Sequence, residues 1–227
     1  MDHRPSISNW FLMPGDFSET QKLSQSATGE DRQKLLADFF MRHRNRLRRM
    51  VDLRLDHRLK PRIDPSDVLQ ETYLEASRQL DRYLRDPAVP VFIWLRAIAG
   101  QRLQKLHRLH LGTKARDIRR EVSLQGYSGS EASAEMLSSW LVRKGSSPSE
   151  AAIHEERRLR LQAALEKMEP LDREVLALRH FEKLSSSETA HALGIQDAAA
   201  RKRYARALDK LKDVLTRMEP KKGKGGP

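Results

Sequence analysis

The segment from Leu184 to Leu211, LSSSETAHALGIQDAAARKRYARALDKL, constrains the fold more than any other part of the chain. Ser185 and Glu188 have the spacing of a capping box, so a helix opens there. Gly194 is the residue type that stops a helix at positive φ, and Ile195 can plug the turn behind it. A second helix then carries Arg201, Lys202, Arg203 and Arg206 in its first turns. Helix, glycine turn and basic helix form the layout of a helix-turn-helix, whose second helix enters the major groove of DNA by its N-terminal end. Cations spread around a helix start suit a groove walled by phosphates, where arginine can pair bidentately with guanine.

The bulk charge agrees. Lys and Arg number 43 against 31 Asp and Glu, a net charge of +12. Such a surplus selects polyanionic partners. The cations recur inside segments of helical periodicity, which favours a folded nucleic-acid binder over a basic arm. Cysteine is absent, which excludes disulfides and thiolate metal sites and is compatible with a reducing compartment. No apolar run approaches a membrane span, and Trp10-Phe11-Leu12-Met13 before Pro14-Gly15 is too short for a signal-peptide core. The expected location is the cytoplasm, with no membrane insertion.

The expected fold is all-α: two small helical domains joined by a flexible linker, the C-terminal one a helix-turn-helix. Residues 1–30 are polar, with Pro5, Pro14, Gly15 and Gly29, and read as a flexible arm. Residues 31–122 make the first domain. Leu36, Phe40, Leu47, Val51 and Leu55 form an apolar stripe opposite a basic face that includes Arg42, Arg46, Arg48 and Arg54, and Pro61 ends that helix. Asp64-Pro65-Ser66-Asp67 starts a second helix, with Val68, Leu69, Tyr73, Ala76, Leu80 and Tyr83 inward. Asp86-Pro87 and Pro90 break it, and a third helix carries Phe92, Trp94, Leu95, Ile98, Leu103 and Leu106 inward, stopping at Gly112. Residues 123–147 shift to Ser, Gly, Glu and Ala and read as the linker, interrupted by Met136, Leu137, Trp140 and Leu141, enough for a short helix. Residues 148–218 form the second domain, opened by the Ser147–Glu150 capping box, and residues 219–227 a disordered tail.

Two blocks sharpen the functional expectation. Leu165 to Arg179, LEKMEPLDREVLALR, followed by the helix-turn-helix, resembles the DNA-binding domain of bacterial RNA polymerase sigma factors. Upstream, Asp67 to Leu74, DVLQETYL, resembles the core-polymerase-binding helix of that family, and Trp94-Leu95 with Ile98-Ala99 its promoter-melting helix. The two blocks in this order, with only a linker between them, resemble the extracytoplasmic-function (ECF) class of the sigma-70 family. The resemblance implies partners: the largest subunits of core RNA polymerase, promoter DNA and an anti-sigma factor, with no small-molecule substrate and no cofactor. It places Asp67, Leu69, Gln70, Glu71 and Glu75 against the polymerase. It places Trp94, Gln101, Arg102, Lys105, His107 and Arg108, with the loop Arg82 to Pro90, against the single-stranded minus-ten element. Aromatic platforms and backbone cations are what an unstacked strand requires, although helical spacing favours the core for Trp94. It places Arg201, Lys202, Arg203 and Arg206 on the minus-thirty-five duplex.

Three features depart from the family pattern. Ser77 stands where relatives often carry tryptophan, Ala198-Ala199-Ala200 offers methyl groups rather than polar side chains, and the loop around Pro87 and Pro90 is slightly long. No nucleophile stands beside a base and no phosphate-binding glycine loop occurs, so no enzymatic activity is expected. His107 and His110 without nearby carboxylates make a poor metal site, and none is expected. Two rival readings stay open at this point. A helix-turn-helix regulator would bind duplex DNA without joining a polymerase, and a helical RNA-binding or interaction protein would use the basic face of the first helix.

Overall fold

The computed structural model describes residues 17–26, 28–111, 132–142 and 148–218. Nine α-helices and no strand lie in those residues. They are α1 (Ser18–Gln25), α2 (Gly29–Arg54), α3 (Pro65–Arg85), α4 (Val91–Leu111), α5 (Ala134–Leu141), α6 (Pro148–Glu166), α7 (Pro170–Leu176), α8 (Ser186–Leu193) and α9 (Asp197–Met218). A π-helical turn, Ala177–Phe181, extends α7.

Local chemistry sets the helix ends. Thr28 Oγ1 accepts from the Asp31 amide at 3.1 Å to start α2. Asp64 accepts from the Ser66 amide at 2.7 Å, with Pro65 in the first turn of α3. The α8 capping box is complete: the Glu188 amide donates to Ser185 Oγ at 3.0 Å, and the Ser185 amide to the Glu188 carboxylate at 2.7 Å. Gly194 ends α8 at φ 64°, the left-handed conformation the turn requires. Helix α2 stops at Arg54, earlier than Pro61, because Leu55 turns extended and Asp56 caps the next turn through the Arg58 amide at 2.9 Å. The cap expected at Ser147 and the stop expected at Gly112 lie outside the described residues.

Helices α2, α3 and α4 form the front half and α6 to α9 the rear half. Of the arm expected over residues 1–30, residues 1–16 lie outside the described residues, and Ser18–Gln25 form helix α1. Thr20 and Leu23 of α1 are fully buried, because the α3–α4 loop and the front core supply partners for both. The expected linker also folds in its second part. Helix α5 is capped by Ser133 and buries Leu137 with Leu161, Leu165 and Met168. The two helical halves also pack on each other. Val175, Leu178, Leu184, Ala192 and Leu193 of the rear half share one apolar cluster with the front, and Leu53 of α2 joins the rear cluster.

Candidate nucleic-acid interface

Helix α9, expected to read DNA, rests on its own half through apolar and ionic contacts. Ala200 and Ala207 are buried, and Tyr204 packs inward under the Arg179 guanidinium, 5.2 Å from its ring centre. The outward face, one turn after another, presents Ala198, Ala199, Lys202 and Arg206, all exposed. Arg201 is exposed too and pairs with Asp197 of the preceding turn. Arg203 is a correction. It faces inward, 3.2 Å from the buried Asp172 and 3.4 Å from Glu169, and Lys210 Nζ closes on Asp172 at 2.6 Å. A carboxylate with 2% exposure requires cations, so Arg203 ties α9 to α7 rather than standing free for a base.

In the front half, Asp67, Gln70 and Glu71 lie exposed along α3, and half-buried Glu75 accepts from Gln79 Nε2 at 2.5 Å and from Arg78 at 3.5 Å. Leu69 is a second correction: with 2% exposure it belongs to the front core, one position off the outward stripe. Leu74 takes its place on that stripe, 52% exposed in line with Gln70 and Glu71.

On α4, Gln101, Lys105 and Arg108 form an exposed i, i+4, i+7 stripe. Arg102 is half-buried and ion-paired with Glu71 of α3, so one expected DNA contact and one expected polymerase contact bind each other. His107 is a third correction. Its Nε2 accepts from the Asp56 amide at 3.3 Å, which turns the ring toward the end of α2. Trp94 stacks on Tyr83, ring centres 4.2 Å apart and planes 10° from parallel, and so serves packing. Tyr83 Oη donates to the Val89 carbonyl at 2.8 Å, and Thr20 Oγ1 lies 3.0 Å from the same oxygen. A phenol has one proton, so Thr20 donates to Tyr83, while Thr20 Oγ1 accepts from the Val91 amide at 2.9 Å. Burial pushes the Tyr83 hydroxyl up, against a smaller downward pull from the Thr20 bond. The expected minus-ten loop is therefore fixed by α1, a segment outside the two resembling blocks.

Residues 158–211 match the family described as Sigma-70, region 4. Over 154 residues, 67% of this chain, the sequence is 32% identical to the ECF RNA polymerase sigma factor SigD of Mycobacterium tuberculosis and of Mycobacterium bovis. The match takes in 64% of the length of those relatives. A solved structure of CnrH in complex with the cytosolic domain of CnrY aligns with 90% of this chain and 99% of that one, at 21% identity and a TM-score of 0.48. Residues 158–211 thus carry a sigma-70 region 4, and the chain is similar to ECF sigma factors over 154 residues. The matched region 4 lies within the rear half, from α6 to α9.

The sequence reading missed the most enclosed charges of the molecule. Arg54, expected on the basic outer face of α2, is fully buried, as is Arg96 of α4 at 3% exposure. Both meet Glu174 and Glu182 of the rear half, themselves 2% and 1% exposed. Arg54 Nε donates to Glu182 at 2.7 Å and its Nη2 to Glu174 at 2.6 Å; Arg96 Nε donates to Glu182 at 2.7 Å. Burial pushes the Glu182 carboxyl up, but the two guanidiniums together outweigh it and hold the group at about 2. A signal was present. Arg54 stands three residues after Val51 and Arg96 four after Phe92, inside the apolar stripes rather than opposite them. The basic face of α2 is also partly consumed, since Arg46 Nη2 donates to both Glu188 carboxylate oxygens, at 2.8 and 2.9 Å, and the guanidinium lies 3.8 Å over the Phe92 ring. That weakens the RNA-binding rival. Among the described residues no helix is long and apolar enough to cross a membrane.

Proposed function

We propose that the chain is a promoter-specificity subunit of RNA polymerase, acting in the cytoplasm. The observation that carries this reading is a family-matched helix-turn-helix whose Lys202 and Arg206 stand exposed on the outward face of α9, behind a helical front half whose α3 and α4 carry the resembling blocks. Region 4 docks on the minus-thirty-five duplex, where phosphate contacts give binding a steep salt dependence. The front half grips core polymerase through Asp67, Gln70, Glu71 and Leu74 and holds the opened minus-ten strand along Gln101, Lys105 and Arg108. The polymerase does all the chemistry. An anti-sigma protein is the further partner that this reading carries.

The test adds the purified chain to sigma-free core polymerase on a genomic DNA library. Transcripts that start downstream of a shared two-block sequence support the reading. A chain that fails to bind core eliminates it, and tight sequence-specific duplex binding without any effect on core transcription substitutes the regulator.

A further inference from the structure

We infer that Thr20 of α1 is a positioning residue for the loop between α3 and α4, and that this loop owes its ability to tell one unpaired base from another to the hydrogen bonds Thr20 makes. The strut itself rests on geometry alone; its consequence for base choice rests on the promoter-subunit reading.

The loop needs support from outside. Between the end of α3 at Arg85 and the start of α4 at Val91 stand Asp86, Pro87, Ala88, Val89 and Pro90. The two prolines bring no backbone donor. Pro90 also stands where α4 would use a capping side chain. Its carbonyl accepts the first helical bond, from the Trp94 amide at 3.0 Å, but it has no polar side chain to accept from the amides that open the helix. The Val91 amide finds its acceptor on a different helix: Thr20 Oγ1 takes it at 2.9 Å.

One hydroxyl serves both sides of Pro90. Thr20 Oγ1 accepts from Val91 and donates to Tyr83 Oη at 3.0 Å, and Tyr83 donates onward to the Val89 carbonyl at 2.8 Å. Each proton in this chain has one acceptor, so the loop cannot turn without breaking a link. Thr20 is fully buried and Tyr83 is 7% exposed, and a broken link therefore leaves a polar group unpaired out of water.

Helix α1 can act as a strut because it is pinned elsewhere. Its 8 residues are too few for a stable isolated helix. Glu19 fixes it to α2 through His43 at 2.7 Å and Arg42 at 3.1 Å, and Leu23 is fully buried in the front core. The path runs from α2 through α1 to the loop, and α3 joins it at Tyr83. What the path holds still is the outer edge of the loop, where Arg85, Asp86 and Ala88 are exposed. Stacking and phosphate contacts bind an unpaired strand with little regard for sequence. Choice of base requires polar groups in fixed places, because a wrong base is rejected when it leaves them unpaired. Lys105 and Arg108 therefore supply affinity, and the held loop supplies choice.

The test uses the full chain with sigma-free core polymerase, on a promoter recovered by transcription of the genomic library. The template is opened in advance over the minus-ten element and carries each base in turn at each of its positions. Thr20→Val keeps the shape of the side chain and removes both bonds. It is expected to shrink the affinity ratio between best and worst base about tenfold, with core affinity within about twofold of the unmutated chain. Thr20→Ser keeps the hydroxyl and restores the ratio. Tyr83→Phe keeps the ring on Trp94 and lacks the middle link, so it reproduces Thr20→Val, and the double variant is no worse than either alone. An intact ratio in either single variant overturns the inference, as does an equal loss on every base or a Thr20→Ser chain as poor as Thr20→Val. Should Thr20→Val fail to fold, Tyr83→Phe decides by the same measure. An unmutated chain that directs core to no promoter defeats the promoter-subunit reading instead. Amide exchange at Val91 in the free chain then decides the strut: a rate about tenfold faster in Thr20→Val supports it, and an equal rate overturns it.

Discussion

Asp172 and Glu174 stand two residues apart on α7, both about 2% exposed, and they face opposite ways into different kinds of ionic contact. Asp172 meets Arg203 and Lys210 of α9, within the rear half, and those partners keep 24% and 47% of their side-chain surface in water. Glu174 meets Arg54 and Arg96, which belong to the front half and are at most 3% exposed. Helix α7 is thus a plate between two contacts. One face ties α9 to α7 within the rear half. The other face meets the front half. The same carboxylate chemistry gives a partly wet brace on one side and a dry contact on the other, and the partner's location decides which.

The contrast is sharpest when one partner is removed. Arg54→Met leaves two buried glutamates facing a single guanidinium, and the loss of stability expected is about 3–5 kcal/mol. Asp172→Asn strands cations that can swing into solvent, so its cost should be about 1–3 kcal/mol. Denaturant titration of both variants measures the difference; a larger loss for Asp172→Asn would erase the distinction drawn between the two faces.

Acid should act on the dry side. The Glu182 carboxyl lies near 2 in the folded chain against an ordinary 4.5. A depressed value means stability that is fully present above about 4.5 and is lost as pH falls toward 2, an effect on the order of 3 kcal/mol. Asp56, held at about 2 chiefly by its hydrogen bond from Arg58, titrates in the same window, but its salt bridge lies near the surface and adds little. An acid titration of stability in Glu182→Gln should therefore lose most of the slope between pH 4.5 and 2. A slope identical to that of the unmutated chain would show that the buried pairing is not linked to folding.

A third comparison separates the cations of α9. Arg206 is exposed and Arg203 is braced, although the sequence offers them as equals. With core polymerase present, Arg206→Ala should lower the slope of log affinity against log salt by about one phosphate contact. Arg203→Ala should lower the unfolding free energy by about 1–2 kcal/mol and leave that slope unchanged. Equal slopes for the two variants would return Arg203 to the DNA.

These cases show what was legible in the chain and what was not. Caps, turns and stripes are local, so Asp64, Ser185 and Gly194 set helix ends that the structure repeats. On α9, Lys202 and Arg206 stand outward as expected, whereas Arg203 does not. What could not be read was partnership at long range. Nothing within four residues of Arg203 announces Asp172, 31 positions away, and nothing near Arg54 announces Glu182, 128 positions away. Charge runs default to solvated faces in a sequence, and only the apolar neighbours of Arg54 and Arg96 argue otherwise. Likewise α1 looks like leader until the α3–α4 loop supplies its hydrogen-bond partners.

The smallest effect expected lies at the turn that aims Glu182. Lys183 takes φ 61°, the one non-glycine residue among those described with a positive φ. It closes the π turn: the Leu184 amide donates to the Leu178 carbonyl at 2.9 Å, one residue wider than a Schellman closure because the last turn is π-wound. A lysine there carries left-handed strain of about 1–2 kcal/mol, which glycine would relieve at some cost in unfolded-chain entropy. Lys183→Gly should therefore stabilise by about 0.5–1 kcal/mol, a rise of roughly 1–4 °C in Tm. The same substitution made in Glu182→Gln tells where the strain resides. If the turn is a fixed part of the rear half, Lys183→Gly raises Tm equally in both backgrounds. If the left-handed conformation forms only when Glu182 pairs with Arg54 and Arg96, the gain is lost in Glu182→Gln, and the turn belongs with the dry contact rather than with the brace.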